Sequence, residues 1–131
     1  MTDLSPDGPH EPGKTHQAAR EVSDLTRYLA YATRPGSGGL EHATDVYELL
    51  AALSEAASRL PQSLRQCGEF LEAQARDGKL GDTERQRPDL AAAITSSVLS
   101  HAAVLAEQLA GKLSRAQSEM AGLYSLEGGD L

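Results

Sequence analysis

Apolar residues recur at alternating steps of three and four through the middle of the chain. Such alternation returns an apolar side chain to one face of an α-helix at every turn and is typical of bundle and coiled-coil helices. The stripe comprises Ala43, Val46, Leu50, Leu53, Ala57, Leu60, Leu64, Cys67 and Leu71. It therefore predicts a long amphipathic helix that ends at the Asp77-Gly78 pair.

The flanks of this stripe are also largely apolar. They hold Tyr47, Leu49, Ala56 and Phe70, where a two-stranded zipper would carry opposed charges. The apolar face is thus wide enough for a helical bundle. The opposite row is polar and mostly acidic, which is typical of a solvated face: Glu48, Glu55, Gln62, Glu69 and Arg76.

Pro61 lies inside this predicted helix and removes one backbone donor. The apolar phase is unchanged on both sides of Pro61, so we expect a kink in one helix. The alternative is a chain folded back at Pro61 into four shorter helices. Gly68, seven residues later, would allow the backbone of a neighbouring helix to approach closely.

Two further helices flank this one. The first is expected from about Thr15 to Arg34 and to end at a flexible Pro35–Gly39 connection; its stripe is Ala18, Val22, Leu25, Leu29 and Ala32. Another is expected to begin at Pro88. Its stripe is Ile94, Val98, Ala102, Leu105, Leu109, Leu113, Ala116, Met120 and Leu123. No charged residue lies between Asp89 and Ala106, so we expect this stretch to be buried on more than one side.

The predicted fold is all-α: a long antiparallel helical hairpin with a shorter N-terminal helix. We expect disordered tails at 1–14 and 125–131 around a single helical-bundle domain at 15–124. The hairpin helices would each be about 50 Å long and the first helix about 30 Å, so one short helix cannot cover the hairpin groove. The sequence therefore predicts a homodimer or a protein partner that completes the bundle.

Composition narrows the possible functions. Apolar residues make up 40% of the chain but aromatic residues only 4%, and the 20 alanines suit closely spaced helices. The net charge of −7 argues against binding to nucleic acids or to anionic membranes. With one cysteine and no apolar signal or spanning segment, a cytoplasmic location is expected. Nine Arg against three Lys, with abundant Ala, is typical of GC-rich bacterial genomes.

The segment Gly8-Pro9-His10-Glu11-Pro12-Gly13-Lys14-Thr15 matches the phosphate-binding pattern G-x-x-x-x-G-K-[ST]. That loop needs consecutive backbone N–H groups held between a buried strand and a helix. Pro9 and Pro12 have no N–H, and no strand is expected before them. Nucleotide or small-molecule binding through this segment is therefore the weaker alternative, and we expect no cofactor.

No residue set predicts catalysis or a metal site. His42 and Asp45 lie one turn apart without a third ligand, and His101 is expected to be half-buried beside the stripe of its helix. Cys67 occupies an apolar position among leucines, where a buried cysteine behaves as a small hydrophobe. We therefore expect no catalytic residue, no cofactor-binding residue and no metal ligand, and we do not expect an enzyme.

The plan of two long helices in about a hundred residues resembles that of the small helical-hairpin proteins of the type VII secretion family. Those proteins carry Trp-x-Gly at the hairpin turn, whereas the turn here reads Asp77-Gly78-Lys79-Leu80-Gly81. Their export signal is a Tyr followed four residues later by an acid, whereas Tyr124 is followed by Glu127 after three. The resemblance is therefore architectural, and it implies a secretion-associated hairpin protein as an alternative function.

The predicted function is a non-enzymatic protein-interaction or self-assembly module acting through its amphipathic helix seams. The predicted interaction seam comprises Leu50, Leu53, Leu60, Leu64, Leu71, Leu105 and Leu109. The partner would be a protein or a second copy, with no nucleic acid and no membrane involved. Whether each leucine faces its own hairpin or the partner is left open by the sequence.

Overall fold

The computed structural model of the chain describes residues 4–84 and 87–126. Those residues form three helices and no strand: α1 (Pro12–Ala32), α2 (Ala43–Arg76) and α3 (Pro88–Glu119). The predicted all-α class, with two long helices packed on each other, is confirmed. The chain divides after His42 into two compact units, one with α1 and one with α2 and α3. Each is described by itself, and the predicted single domain at 15–124 stays a prediction.

In the first unit, α1 begins at Pro12, three residues before the predicted start at Thr15. Proline suits the first helical position because its fixed φ matches the helix and its missing N–H would have no partner there. The backbone N–H of Thr15 already donates to the Glu11 carbonyl over 3.1 Å. Residues 12–14, predicted to be part of a disordered tail, are therefore helical.

The segment after α1 is folded onto the end of the helix, which corrects the predicted flexible connection. The Ser37 hydroxyl donates to the Ala32 carbonyl, and the Gly39 N–H donates to that hydroxyl over 3.2 Å. A Cβ at Gly39 would lie 2.1 Å from the Ala32 carbonyl oxygen, so glycine alone fits there. Gly39 thus allows the chain after α1 to approach the end of that helix closely, in addition to its place in a turn.

In the second unit, α2 and α3 run antiparallel, as predicted. The Ser54 hydroxyl donates to the Ala110 carbonyl over 3.0 Å, and the Ser96 hydroxyl donates to a Glu72 carboxylate oxygen over 2.7 Å. Position along α2 therefore rises as position along α3 falls. These two hydrogen bonds connect α2 and α3 at Ser54 and Glu72, near opposite ends of the hairpin.

Pro61 is buried within α2, which continues without interruption from Ala43 to Arg76. The alternative of four shorter helices folded back at Pro61 is therefore not the structure. One missing hydrogen bond in a helix of 34 residues is tolerated because the remaining turns are paired and the proline ring is packed in the interior.

At the closed end of the hairpin, α2 ends and α3 begins at residues that commonly terminate and start helices. The Lys79 N–H donates to the Gln74 carbonyl over 2.9 Å, and Gly78 adopts a positive φ of 69°. This is a Schellman cap, in which glycine takes the left-handed conformation. The predicted stop at Asp77-Gly78 and the predicted start of α3 at Pro88 are both confirmed.

At the open end, the chain after α3 returns to the beginning of α2. The Ser125 hydroxyl oxygen accepts the backbone N–H of Ala43 over 2.7 Å, which satisfies one of the free donors at the helix start. Ser125 was predicted to belong to a disordered tail and instead caps α2. Residues 127–131 of that predicted tail lie outside the described residues.

The interior between α2 and α3 consists of small residues. The buried residues of these helices are Ala57, Pro61, Gly68, Ala92, Ala103 and Ala106. A Cβ on Gly68 would lie 2.7 Å from the Ser96 hydroxyl and 3.0 Å from its Cα, so the two backbones are close. The contact line of α2 therefore combines one row of the predicted stripe, to which Ala57 belongs, with the neighbouring row of Pro61 and Gly68, because small side chains permit this approach.

Candidate interaction face

The contact line divides the hairpin into two opposite sides. Successive helical residues are rotated by about 100°, so the row that faces the partner helix determines where every other row points. On one side, Arg65 makes two hydrogen bonds of 3.3 Å to the Glu107 carboxylate, and Glu72 accepts from Ser96. Helical spacing places most acids there: Glu48, Glu55, Glu69, Glu72, Asp89 and Glu107. We call this the polar side.

The opposite side carries the large apolar residues of both helices. We call it the apolar face and define it by Leu53, Leu60 and Phe70 of α2 with Val98, Leu105 and Leu109 of α3. Leu60 is 45% exposed, Phe70 62% and Val98 61%. Several large apolar side chains of the hairpin therefore lie on its surface, and the fully buried residues of its two helices are alanine, glycine and proline.

The predicted seam is divided between these locations. Four of its seven residues, Leu53, Leu60, Leu105 and Leu109, lie on the apolar face, whereas Leu50, Leu64 and Leu71 follow the buried Ala57 row at steps of seven and lie on the contact line between the helices. Leu105 and Leu109 are about half exposed, at 52% and 51%. The seam leucines of α2 other than Leu60 are half-buried. Their role in binding stays a prediction.

Sequence reasoning left Phe70 and Val98 out of the seam, although the structure places them on the apolar face. The signal for Phe70 was its place on the apolar flank of the α2 stripe. The signal for Val98 was the uncharged run from Leu90 to Ala106, which we expected to be buried on more than one side. That expectation is wrong, because Ile94, Val98 and Leu105 are 44%, 61% and 52% exposed. By length and composition alone, α3 could also cross a membrane, and only 17% of its most apolar stretch is buried within the described structure.

Two side chains predicted to be wholly or partly buried are exposed. Cys67 lies on the α2 flank that bears the apolar face, away from the contact line, and its thiol is accessible. His101 is likewise exposed, beside the apolar residues of α3. Both predictions were wrong because the real contact line is narrower than the apolar stripes of the sequence.

The phosphate-loop-like segment is part of the first unit and forms the wall of a cavity of about 320 Å³. Lys14 and Thr15 line that cavity together with residues of the chain before α1. The Gly8 N–H donates to the Ser5 carbonyl over 3.1 Å, and the Thr15 N–H and hydroxyl both donate to the Glu11 carbonyl. These donors are engaged within the chain. Phosphate binding requires N–H groups that are directed at a shared point.

Within 4–84 and 87–126, no three His, Cys, Asp or Glu side chains converge on a common position. The apolar face therefore stands out as the surface with the clearest chemical character.

Known proteins offer no template for this chain. No protein-family model, no curated protein and no solved structure matches it.

Proposed function

We propose that this chain is a non-enzymatic interaction module that binds protein through the apolar face of the α2–α3 hairpin. The observation that carries the proposal is the exposure of Leu60, Phe70 and Leu105, at 45%, 62% and 52%, along a single side of the hairpin. Contiguous apolar patches of this kind are typical of binding surfaces, because a protein without a partner gains stability by burying them.

The energetic argument rests on what the hairpin leaves unburied. Full burial of one large aliphatic side chain is worth about 1.5–3 kcal/mol, so a half-exposed leucine retains roughly 1 kcal/mol for a partner. Several such residues in one row provide enough for specific association even after the entropic cost of binding. The interior alanines are buried already and have nothing further to contribute.

The polar side is less suited to binding a protein, which supports the proposal that binding uses the apolar face. Its charged groups have partners within the hairpin, as in the Arg65–Glu107 pair, or lie in solvent. A partner that bound there would have to remove several carboxylates from water, which is unfavourable without matched cations. Binding through the apolar face involves no such cost.

Site-specific photo-crosslinking in the native cell tests this proposal. Leu105 and Val104 are adjacent and similarly exposed, at 52% and 41%, but Val104 points to the polar side. A p-benzoylphenylalanine replacing Leu105 is expected to crosslink to protein, whereas the same group replacing Val104 is the matched control. Equal yields from both positions, or no protein adduct from Leu105, would contradict the proposal.

A further inference from the structure

We propose that the occupant of the apolar face is a second copy of this chain, so that two hairpins pack face to face as a four-helix bundle. This inference rests on the proposed function and specifies its partner. A twofold axis brings one surface onto itself, so a single self-complementary face is sufficient for a closed dimer. Two hairpins joined in this way have the architecture of a standard four-helix bundle.

The size of the face agrees with what a stable dimer needs. It extends over about 18 residues of α2 and about 12 of α3, thus about 27 Å and 18 Å, and each helix is about 10 Å wide, so its projected area is about 450 Å². The accessible surface exceeds this projection because the side chains stand out from it. A standard interface buries about 800 Å² on each partner, so the apolar face has the dimensions of a small specific interface.

The distribution of charge selects this face for self-association. The chain carries a net charge of −7, so two copies repel each other over most orientations. Between Leu53 and Leu71 of α2 and between Leu90 and Leu109 of α3, every acid is on the polar side. The apolar face is the side through which two copies meet without opposing carboxylates.

Cys67 supplies a native probe for the proposed contact. It is exposed in the single chain and lies on the flank of α2 that bears the apolar face. Face-to-face pairing would cover its thiol. The rate of Cys67 alkylation by N-ethylmaleimide should therefore fall as protein concentration rises. In the matched control, Cys67→Ser combined with Gln62→Cys places the thiol on the polar side, where its reactivity should not depend on concentration.

The deciding experiment measures the molar mass of the full chain by size-exclusion chromatography with light scattering over a concentration series. We expect a dimer for the unchanged chain and for Val104→Glu. Leu105→Glu should raise the dissociation constant about 30-fold or more, because a carboxylate would be buried without a partner. Circular dichroism confirms that each variant remains helical. A second variant, Val98→Lys, provides the same test with the opposite charge.

Several outcomes would overturn the second copy as occupant. They are a monomer at every concentration, a dimer that Leu105→Glu and Val98→Lys leave unchanged, and Cys67 reactivity that is independent of concentration. Partition of the monomer into phosphatidylcholine vesicles would also overturn it, since lipid would then cover the face. If the dimer fails while Leu105 crosslinks to a different protein, the proposed function stands; if both fail, both proposals fall.

Discussion

The interior of the α2–α3 hairpin and its apolar face differ in the size of their side chains. The interior holds Ala57, Gly68 and Ala103, and the last of these is 0% exposed. The apolar face holds leucines, Val98 and Phe70, many of them about half exposed. A typical single domain buries its largest apolar residues, and here several of them are at the surface. Small residues bring the two helices close together, and under the proposed function the large residues contact a partner.

The same comparison explains why the hairpin alone has little hydrophobic stabilisation. Alanine offers few methyl groups to bury, whereas a leucine or phenylalanine contributes several times as much. Close packing between alanine and glycine rows depends instead on the near contact of backbones and on hydrogen bonds such as Ser54 to Ala110. The interior should therefore be sensitive to added volume, and the apolar face should be tolerant of it.

The largest effect is expected at the closest approach of the two helices. Gly68→Val should lower the free energy of unfolding by about 3 kcal/mol, because its Cβ would lie only 3.0 Å from the Cα of Ser96. Gly111→Val is the matched control, since nothing lies within 4 Å of a Cβ there, and it should change stability by less than about 0.5 kcal/mol. Urea unfolding at one fixed protein concentration measures both. Equal effects would show that the helices are not in close contact at Gly68.

An intermediate effect is expected from enlarging a buried alanine. Ala103→Leu should cost about 2 kcal/mol, because the 0% exposed site has no space for three further carbon atoms. Ala93→Leu adds the same atoms to an exposed position of the same helix and should be neutral within about 0.5 kcal/mol. Thermal unfolding of both variants gives the difference. A neutral Ala103→Leu would indicate that the interface can open at low cost.

The smallest effect is expected on the polar side. Arg65 and Glu107 are 40% and 53% exposed, so their interaction across 3.3 Å is screened by water. A double-mutant cycle with Arg65→Ala and Glu107→Ala should give a coupling energy of about 0.5 kcal/mol that decreases in 1 M NaCl. A coupling above about 2 kcal/mol would mean that the polar side, and not the alanine interior, determines the register of the hairpin.

The sequence predicted the positions of the helices more accurately than the contacts between them. The 3-4 spacing, Pro88, and the Asp77-Gly78 stop located α2 and α3 closely, because helix formation and capping depend on neighbours within a few residues. The start of α1 was predicted three residues late, since Pro12 was assigned to a tail and not to the first helical turn. Apolar periodicity also identified most residues of the apolar face, although it assigned them to a seam whose partner it could not specify.

Thus the sequence by itself determined the all-α class, the three helices and the amphipathic character of the long pair. Only the tertiary structure decided that Pro61 and Gly68, and not the predicted row of Leu53 and Leu60, complete the contact line with Ala57 against α3. A helix with a wide apolar stripe can turn either row towards its neighbour, and periodicity cannot distinguish rotations of a few tens of degrees. The choice depends on how closely two backbones can approach, which is a property of both helices together: the missing Cβ of Gly68 opposite Ser96 permits it here.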